Sequence, residues 1–272
     1  MTERPDWQRA IELLGMFAEG DLRTIKVDAD GRISALIVDS LDPWGGMLTI
    51  GNAELAVRLG SPVIDEQRGR VQYIDTFEEG AVRWQLGVGG TDGSAAITPL
   101  YARSGGYAVM LRASSDILRT ADMANYSIVL PNARTGFAYS FSLDGNCDEH
   151  TLEILRYDGT YKHDIRLKFD DAIDQVQILN DVPAWTNVLA TDLGTRNLWH
   201  FHSLKLVVDL VNHTYLRLVL DNVETDLSMH AYAAVLNGTK PEMATTITHK
   251  SMALVNDIAV IDNFIITTAE PE

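Results

Sequence analysis

The chain has 272 residues, 46% of them hydrophobic, and a formal net charge of −16. That length accommodates one large β domain or a medium domain with an added module. The charge argues against nucleic acid as a direct partner, because phosphates would be repelled. The single cysteine, Cys147, excludes an intramolecular disulfide framework and an all-cysteine zinc site.

The first ten residues, MTERPDWQRA, are polar and lack the apolar core of a signal peptide. No run approaches the ~18 apolar residues of a membrane span. The expectation is a soluble product made in the cytoplasm, with no membrane partner. Trp7, Ala10, Ile11, Leu14 and Phe17 recur at helical spacing, with Pro5 and Asp6 placed to start a helix and Gly20 to end it. TIKV and ISALIV flank DADG, a hairpin signal with Asp30 and Gly31 in the turn. A DPWGG loop follows, then NAELAVRLG, a short helix closed by Gly60. Residues 1–68 thus read as a small α+β docking or oligomerisation segment, marginal alone and leaning on the next domain or on a partner chain.

From about Arg70 the pattern is strand, turn, strand. VQYIDTF, AVRWQLGV, YAVMLRAS, YSIVLP, FAYSFSL, HTLEILRY, HDIRLKF, DQVQIL, HSLKLVVDLV, TYLRLVLD and AVIDNFIITT are rich in β-branched and aromatic residues. The clearest hairpin puts Leu204, Leu206, Val208 and Leu210 on one face, then Leu216, Leu218 and Leu220 after a turn at Asn212 and His213. Many strands at near-regular spacing predict a mainly β fold, an antiparallel jelly-roll β-sandwich over residues 69–272.

One residue resists this pattern. Written as a strand, Ile258, Val260, Phe264 and Ile266 share a face, and Asp262 interrupts it. A buried unpaired carboxylate costs several kcal/mol or more, so Asp262 must be paired, ligated or exposed. The domain opens with DTFEEGAVRWQLGVGG, continues with ARSGGYAVMLRAS and closes with VIDNFIITT. Phe77, Glu78, Gly80 and Trp84, then Ser104 to Ala108, then Ile261, Asp262 and Asn263, carry a resemblance to the calcium-binding jelly-roll carbohydrate-binding modules and their non-catalytic relatives. The resemblance spans roughly residues 72 to 268. It implies a Ca2+ ion tying the first and last strands, held by Glu78 and Asp262, with Asp75 as a third carboxylate and carbonyls from the Ser104 to Gly106 turn. The alternative is that Asp262 accepts backbone N–H bonds at a strand bend or pairs with an arginine. A sugar site would need exposed aromatic platforms, and Trp185, in the loop-like stretch DVPAWTNV, is the candidate; otherwise it plugs a sandwich edge.

Other motifs offer less. His200 and His202 share a face in WHFHS without a third ligand. GVGGTDG lacks the lysine and helix of a phosphate loop. In CDEHTLEI, Glu149 and Glu153 are the only same-face acids, and no Gly-x-Ser-x-Gly elbow is present. Nothing argues for an enzyme.

Residues 20 to 80 resemble, in overall style, the leading parts of tailed-bacteriophage virion structural proteins. That likeness implies a non-enzymatic capsid-decoration or tail component of a virion, a homo-oligomer contacting other virion proteins. A carbohydrate-binding module recognising a polysaccharide is the alternative, and a sandwich-fold glycoside hydrolase a distant third.

Overall fold

The computed structural model describes residues 68–116, 119–127, 133–191, 193, 197–252 and 254–271, together with four two-residue strands nearer the start. The helices expected at residues 6–19 and 52–59 lie outside the described residues. The chain divides into two compact units, Met1–Ala56 and Val57–Glu272. In the first, β1 (Lys26–Val27) pairs antiparallel with β2 (Ile33–Ser34), as the DADG turn predicts, and β3 (Ser40–Leu41) pairs with β4 (Met47–Leu48).

The second unit is a sandwich of two eight-stranded antiparallel sheets. The first sheet runs β17 (Val223–Asp226), β16 (Thr214–Leu220), β15 (His202–Asp209), β10 (Arg134–Leu143), β20 (Asp257–Thr268), β8 (Ala108–Ala113), β7 (Ser94–Thr98), with β5 (Arg70–Asp75) also on β20. The second runs β14 (Trp185–Ala190), β13 (Gln175–Leu179), β12 (Tyr161–Asp170), β11 (Cys147–Tyr157), β19 (Glu242–Ser251), β9 (Thr120–Ser127), β6 (Gln85–Gly89), with β18 (Ala233–Leu236) also on β12. Residues at period two face inward: Phe137, Tyr139, Phe141 and Leu143 from one sheet meet Leu152, Ile154, Ile165 and Leu167 from the other. Burying each such side chain contributes roughly 1.5–3 kcal/mol.

Two bulges move residues off their expected faces. Between Val207 and Val208 the β15–β16 register shifts, so Tyr215 fills the core and Leu216, expected there, is only half-buried. On β20 the shift lies at Asp262 and Asn263. Before it Ala259 and Ile261 join the core, and after it Phe264 and Ile266 do. Asp262 therefore follows Ile258 and Val260, on the face turned away from the core. Ile258 and Val260 do not share a face with Phe264 and Ile266, because Asn263, at φ 53°, adds the extra residue.

Trp185 is not in a loop; it opens the edge strand β14, with Lys168 Nζ 4.9 Å above its ring. Of YSIVLP, Tyr126 and Ser127 lie in β9, and the rest lies outside the described residues. β19, central in its sheet, escapes the hydrophobic pattern because its inward row is Met243, Thr245, Ile247, His249 and Ser251.

The outward face of the first sheet is itself covered near the end of the chain. Glu270, 3% exposed, pairs with Lys205 at 2.8 Å and Arg217 at 2.6 Å above Gly136. A Cβ at Gly136 would stand 2.8 Å from the Glu270 carboxylate, which explains the glycine at the third position of β10. Lys205 also donates to the Arg68 carbonyl and Arg217 to that of Pro271, so this buried triad holds both ends of the sandwich chain against the sheet.

Candidate functional site

The site forms where β20 changes neighbours. Over Asp257–Ile261 it pairs with β8, and over Phe264–Thr268 it pairs with β5 on the same side. Neither strand covers the two residues between, and the segment joining β7 to β8 fills the gap. Asp262 is fully buried beneath it. Its Oδ2 accepts the N–H groups of Arg103 (2.9 Å) and Ser104 (3.0 Å), and its Oδ1 accepts the N–H of Asn263 (2.8 Å). Ser104 Oγ adds a bond to the Asn263 side-chain oxygen at 2.9 Å. The carboxylate thus substitutes for the missing strand, and bonds to a charged acceptor are worth roughly 1.5–3 kcal/mol each.

Glu78 works on the same segment from the β5 side. Its Oε1 accepts the N–H groups of Gly106 (2.9 Å) and Tyr107 (3.1 Å). Gly105, at φ 65°, lies so close that a Cβ there would stand 2.2 Å from Glu78 Oε1; only glycine allows both the backbone conformation and the approach. Glu78 is presented by a turn in which Phe77 holds a left-handed backbone at φ 61°. That conformation costs about 1–2 kcal/mol, offset by complete burial of the ring against Trp84, with centroids 6.0 Å apart.

Asp75 plays a different part from Glu78 and Asp262. Its Oδ1 accepts the Phe77 N–H, and its Oδ2 accepts the Trp84 indole N–H and the Tyr73 hydroxyl, the last two at 3.1 Å. Burial first, and then the Asp75 charge, push the Tyr73 hydroxyl up to about 12, so Tyr73 stays a donor at ordinary pH. Asp75 therefore fixes the Phe-Glu-x-Gly turn and the tryptophan.

The same segment lies over a polar cross-strand row on the outward face. Ser203, Ser140 and Asp262 are register partners across β15, β10 and β20. The Arg103 guanidinium donates to Ser140 Oγ at 2.9 Å and to Ser203 Oγ. Ser142 Oγ donates to the Leu198 carbonyl at 3.1 Å, which seats the turn ahead of β15 on the same face. The two loops meet in an edge-to-face contact of Tyr101 with Trp199, centroids 4.8 Å apart. Trp199 is 69% exposed, and Leu100, Tyr107 and His200 are exposed around the loops. Trp199 escaped the sequence reading because only its placement over the sheet separates it from any surface tryptophan. His202 does not share a free pair of nitrogens with His200, since its Nδ1 is bonded to Asp221.

The outward face of the second sheet carries a ladder of opposite charges. Glu153 pairs with Arg166 at 2.7 Å, and Glu149 with Lys168 at 3.2 Å and Lys250 at 3.6 Å. Glu149 and Glu153, the two same-face acids of CDEHTLEI, are thus both ion-paired with cations on the same sheet.

Burial pushes the Asp262 carboxyl from 3.8 up to about 6, against its three backbone bonds and with a further push from the Glu78 charge. The sign follows from linkage. The folded state binds the proton more tightly than the unfolded chain, so ionised Asp262 weakens the fold above about pH 6 and the penalty vanishes below about pH 4. The shift corresponds to about 3 kcal/mol. In chelator, wild type should therefore lose up to about 3 kcal/mol between pH 4 and pH 7 relative to Asp262→Asn, measured by urea unfolding at both pH values.

No family model matches the chain, and no curated protein matches it in sequence. Among solved structures it is similar to the beta-glucanase of Bacillus licheniformis, at 12% identity over 72% of this chain and 97% of that one, with a TM-score of 0.44. It is similar to the seed lectin of Lotus tetragonolobus, at 11% identity over 74% and 99%, TM-score 0.45. It is also similar to the endo-beta-1,4-glucuronan lyase of Trichoderma reesei, at 6% identity over 73% and 91%, TM-score 0.47. At these scores none of the likenesses carries a function to this chain.

Proposed function

We propose that the chain is a non-enzymatic glycan-binding β-sandwich whose platform is the Tyr101–Trp199 pair. The observation that carries this reading is a tryptophan 69% exposed on a loop tied to the sheet rather than packed into it. An indole in that position presents a rigid apolar face with a polar edge, suited to the C–H face of a sugar ring, and His200, exposed and next in sequence, adds a hydrogen-bonding group. The edge-to-face contact with Tyr101 braces the indole. Trp185 suits the role less well, being 38% exposed with a lysine over its ring.

Calcium enters this reading as a structural ion. Glu78 and Asp262 are all-oxygen ligands of the kind calcium takes, and among the described residues no cationic side chain is ion-paired with either. A cation there would remove the penalty that raises the Asp262 carboxyl. The same oxygens now accept backbone N–H groups, so ion and loop would share them. Calcium at neutral pH should raise the melting temperature of wild type and leave Asp262→Ala unchanged, read by thermal unfolding with and without EDTA.

Glycan-array screening followed by calorimetry on the best ligand tests the platform. Trp199→Ala should cost at least ~2 kcal/mol, a roughly 30-fold rise in Kd, at an unchanged melting temperature, while Trp185→Ala binds as wild type. Binding that survives Trp199→Ala contradicts the assignment.

A second reading, a homo-oligomeric virion component, is favoured by the sandwich edges. β17 ends its sheet with Val223 57% exposed, and β18 carries Val235 and Leu236 at 61% and 75%, apolar edges of the kind that pair with another chain. Light scattering of the purified protein should then show a defined oligomer; a monomer at micromolar concentration contradicts this reading.

A further inference from the structure

The core holds a cluster that neither the Asp262 junction nor the aromatic platform uses. Cys147 opens β11, His249 lies two residues from the end of β19 and Asp257 opens β20, so the three come from both sheets. All three are fully buried. Cys147 Sγ lies 3.9 Å from His249 Nδ1, and Asp257 Oδ2 lies 2.9 Å from His249 Nε2. One donor atom from each residue falls within 4.8 Å of the other two.

The 2.9 Å contact is short, yet its atoms are not aligned for a hydrogen bond: His249 Nε2 and Asp257 Oδ2 are both buried without a hydrogen-bond partner. The other Asp257 oxygen is occupied, accepting the Asn146 N–H at 3.2 Å. His150, the register partner of His249, meets the Tyr139 hydroxyl through Nε2 at 3.2 Å, and its Nδ1 is likewise buried without a partner. Buried polar atoms without a hydrogen bond are destabilising; here His249 Nε2 and Asp257 Oδ2 have only each other, unaligned, and His150 Nδ1 has no hydrogen-bond partner.

We propose that Cys147, His249 and Asp257 form a buried transition-metal site, with Zn2+ or a cation of similar softness as its ligand. Ligand atoms around one tetrahedral metal at about 2.0–2.3 Å stand roughly 3.3–3.8 Å apart, so donors that all lie within 4.8 Å of one another close on an ion with side-chain shifts of up to about one ångström. A thiolate, an imidazole and a carboxylate together select a borderline-soft cation over calcium, which prefers oxygen alone. His249 ligates through one nitrogen and keeps the proton on the other; binding releases the Cys147 thiol proton. His150, whose ring centroid lies 6.0 Å from that of His249, offers a further nitrogen on the same strand pair. Full burial means that the ion enters as the sheets close and acts on stability rather than on a substrate.

The test is to produce the full chain in cobalt-supplemented medium under reducing conditions and record its absorption spectrum and metal content. The expected result is about one cobalt per chain with a thiolate-to-cobalt charge-transfer band, both lost in Cys147→Ser, and weaker metal retention in Asp257→Asn. Cys147 is the only cysteine in the chain, so the wild-type band alone assigns the thiolate even if Cys147→Ser fails to fold. A wild-type protein without that band, or a band that survives Cys147→Ser, overturns the site.

Discussion

The arrangement depends on one carboxylate standing where a strand is missing. β20 is held by β8 over its first half and by β5 over its second, and the step between them exposes backbone that no strand pairs. Asp262 reaches across that step and takes two N–H groups from the loop that leads into β8, while Glu78, from the turn that follows β5, takes two more. The first, inner and last strands of the sheet are thereby joined at one point. The cost is a fully buried acid near a second acid, and the upward shift of the Asp262 carboxyl measures it.

That junction also shapes the surface above it. The segment whose backbone binds Asp262 and Glu78 carries Tyr101 at one end and Tyr107 at the other. Its Arg103 side chain lies along the Ser140 and Ser203 row that underlies the Trp199 turn. A platform on such a loop is held by charge-assisted bonds to the sheet beneath it, which limits the ordering cost of binding a ligand. The two outward faces differ accordingly: one is an ion-pair ladder of Glu149, Glu153, Arg166 and Lys168, and the other is roofed by loops and bears the exposed indole.

Much of the sandwich is legible in the sequence because alternation is clean wherever the inward row is aliphatic or aromatic, as in β10, β11, β12 and β15. It fails where that row is polar. β19 offers Thr245, His249 and Ser251 to the core, so its period is invisible to a hydrophobic count. It also fails at bulges, since one inserted residue reverses every later face; Leu216 and the two halves of β20 are misassigned for that reason alone. Asp262 and Glu78 stand out because a carboxylate in an apolar strand and a Phe-Glu-x-Gly turn are anomalies of local chemistry. Trp199 and the Cys147, His249 and Asp257 cluster are assembled from distant segments, and no local pattern announces them.

Amide hydrogen exchange at Arg103 and Ser104 tests the central claim most directly. Slow exchange of both in wild type, lost at these two positions and at Gly106 and Tyr107 in Asp262→Ala while the amides of β10 and β11 stay protected, is the predicted result. Fast exchange in wild type, or protection that persists in the variant, would show that the loop is held by something other than this carboxylate.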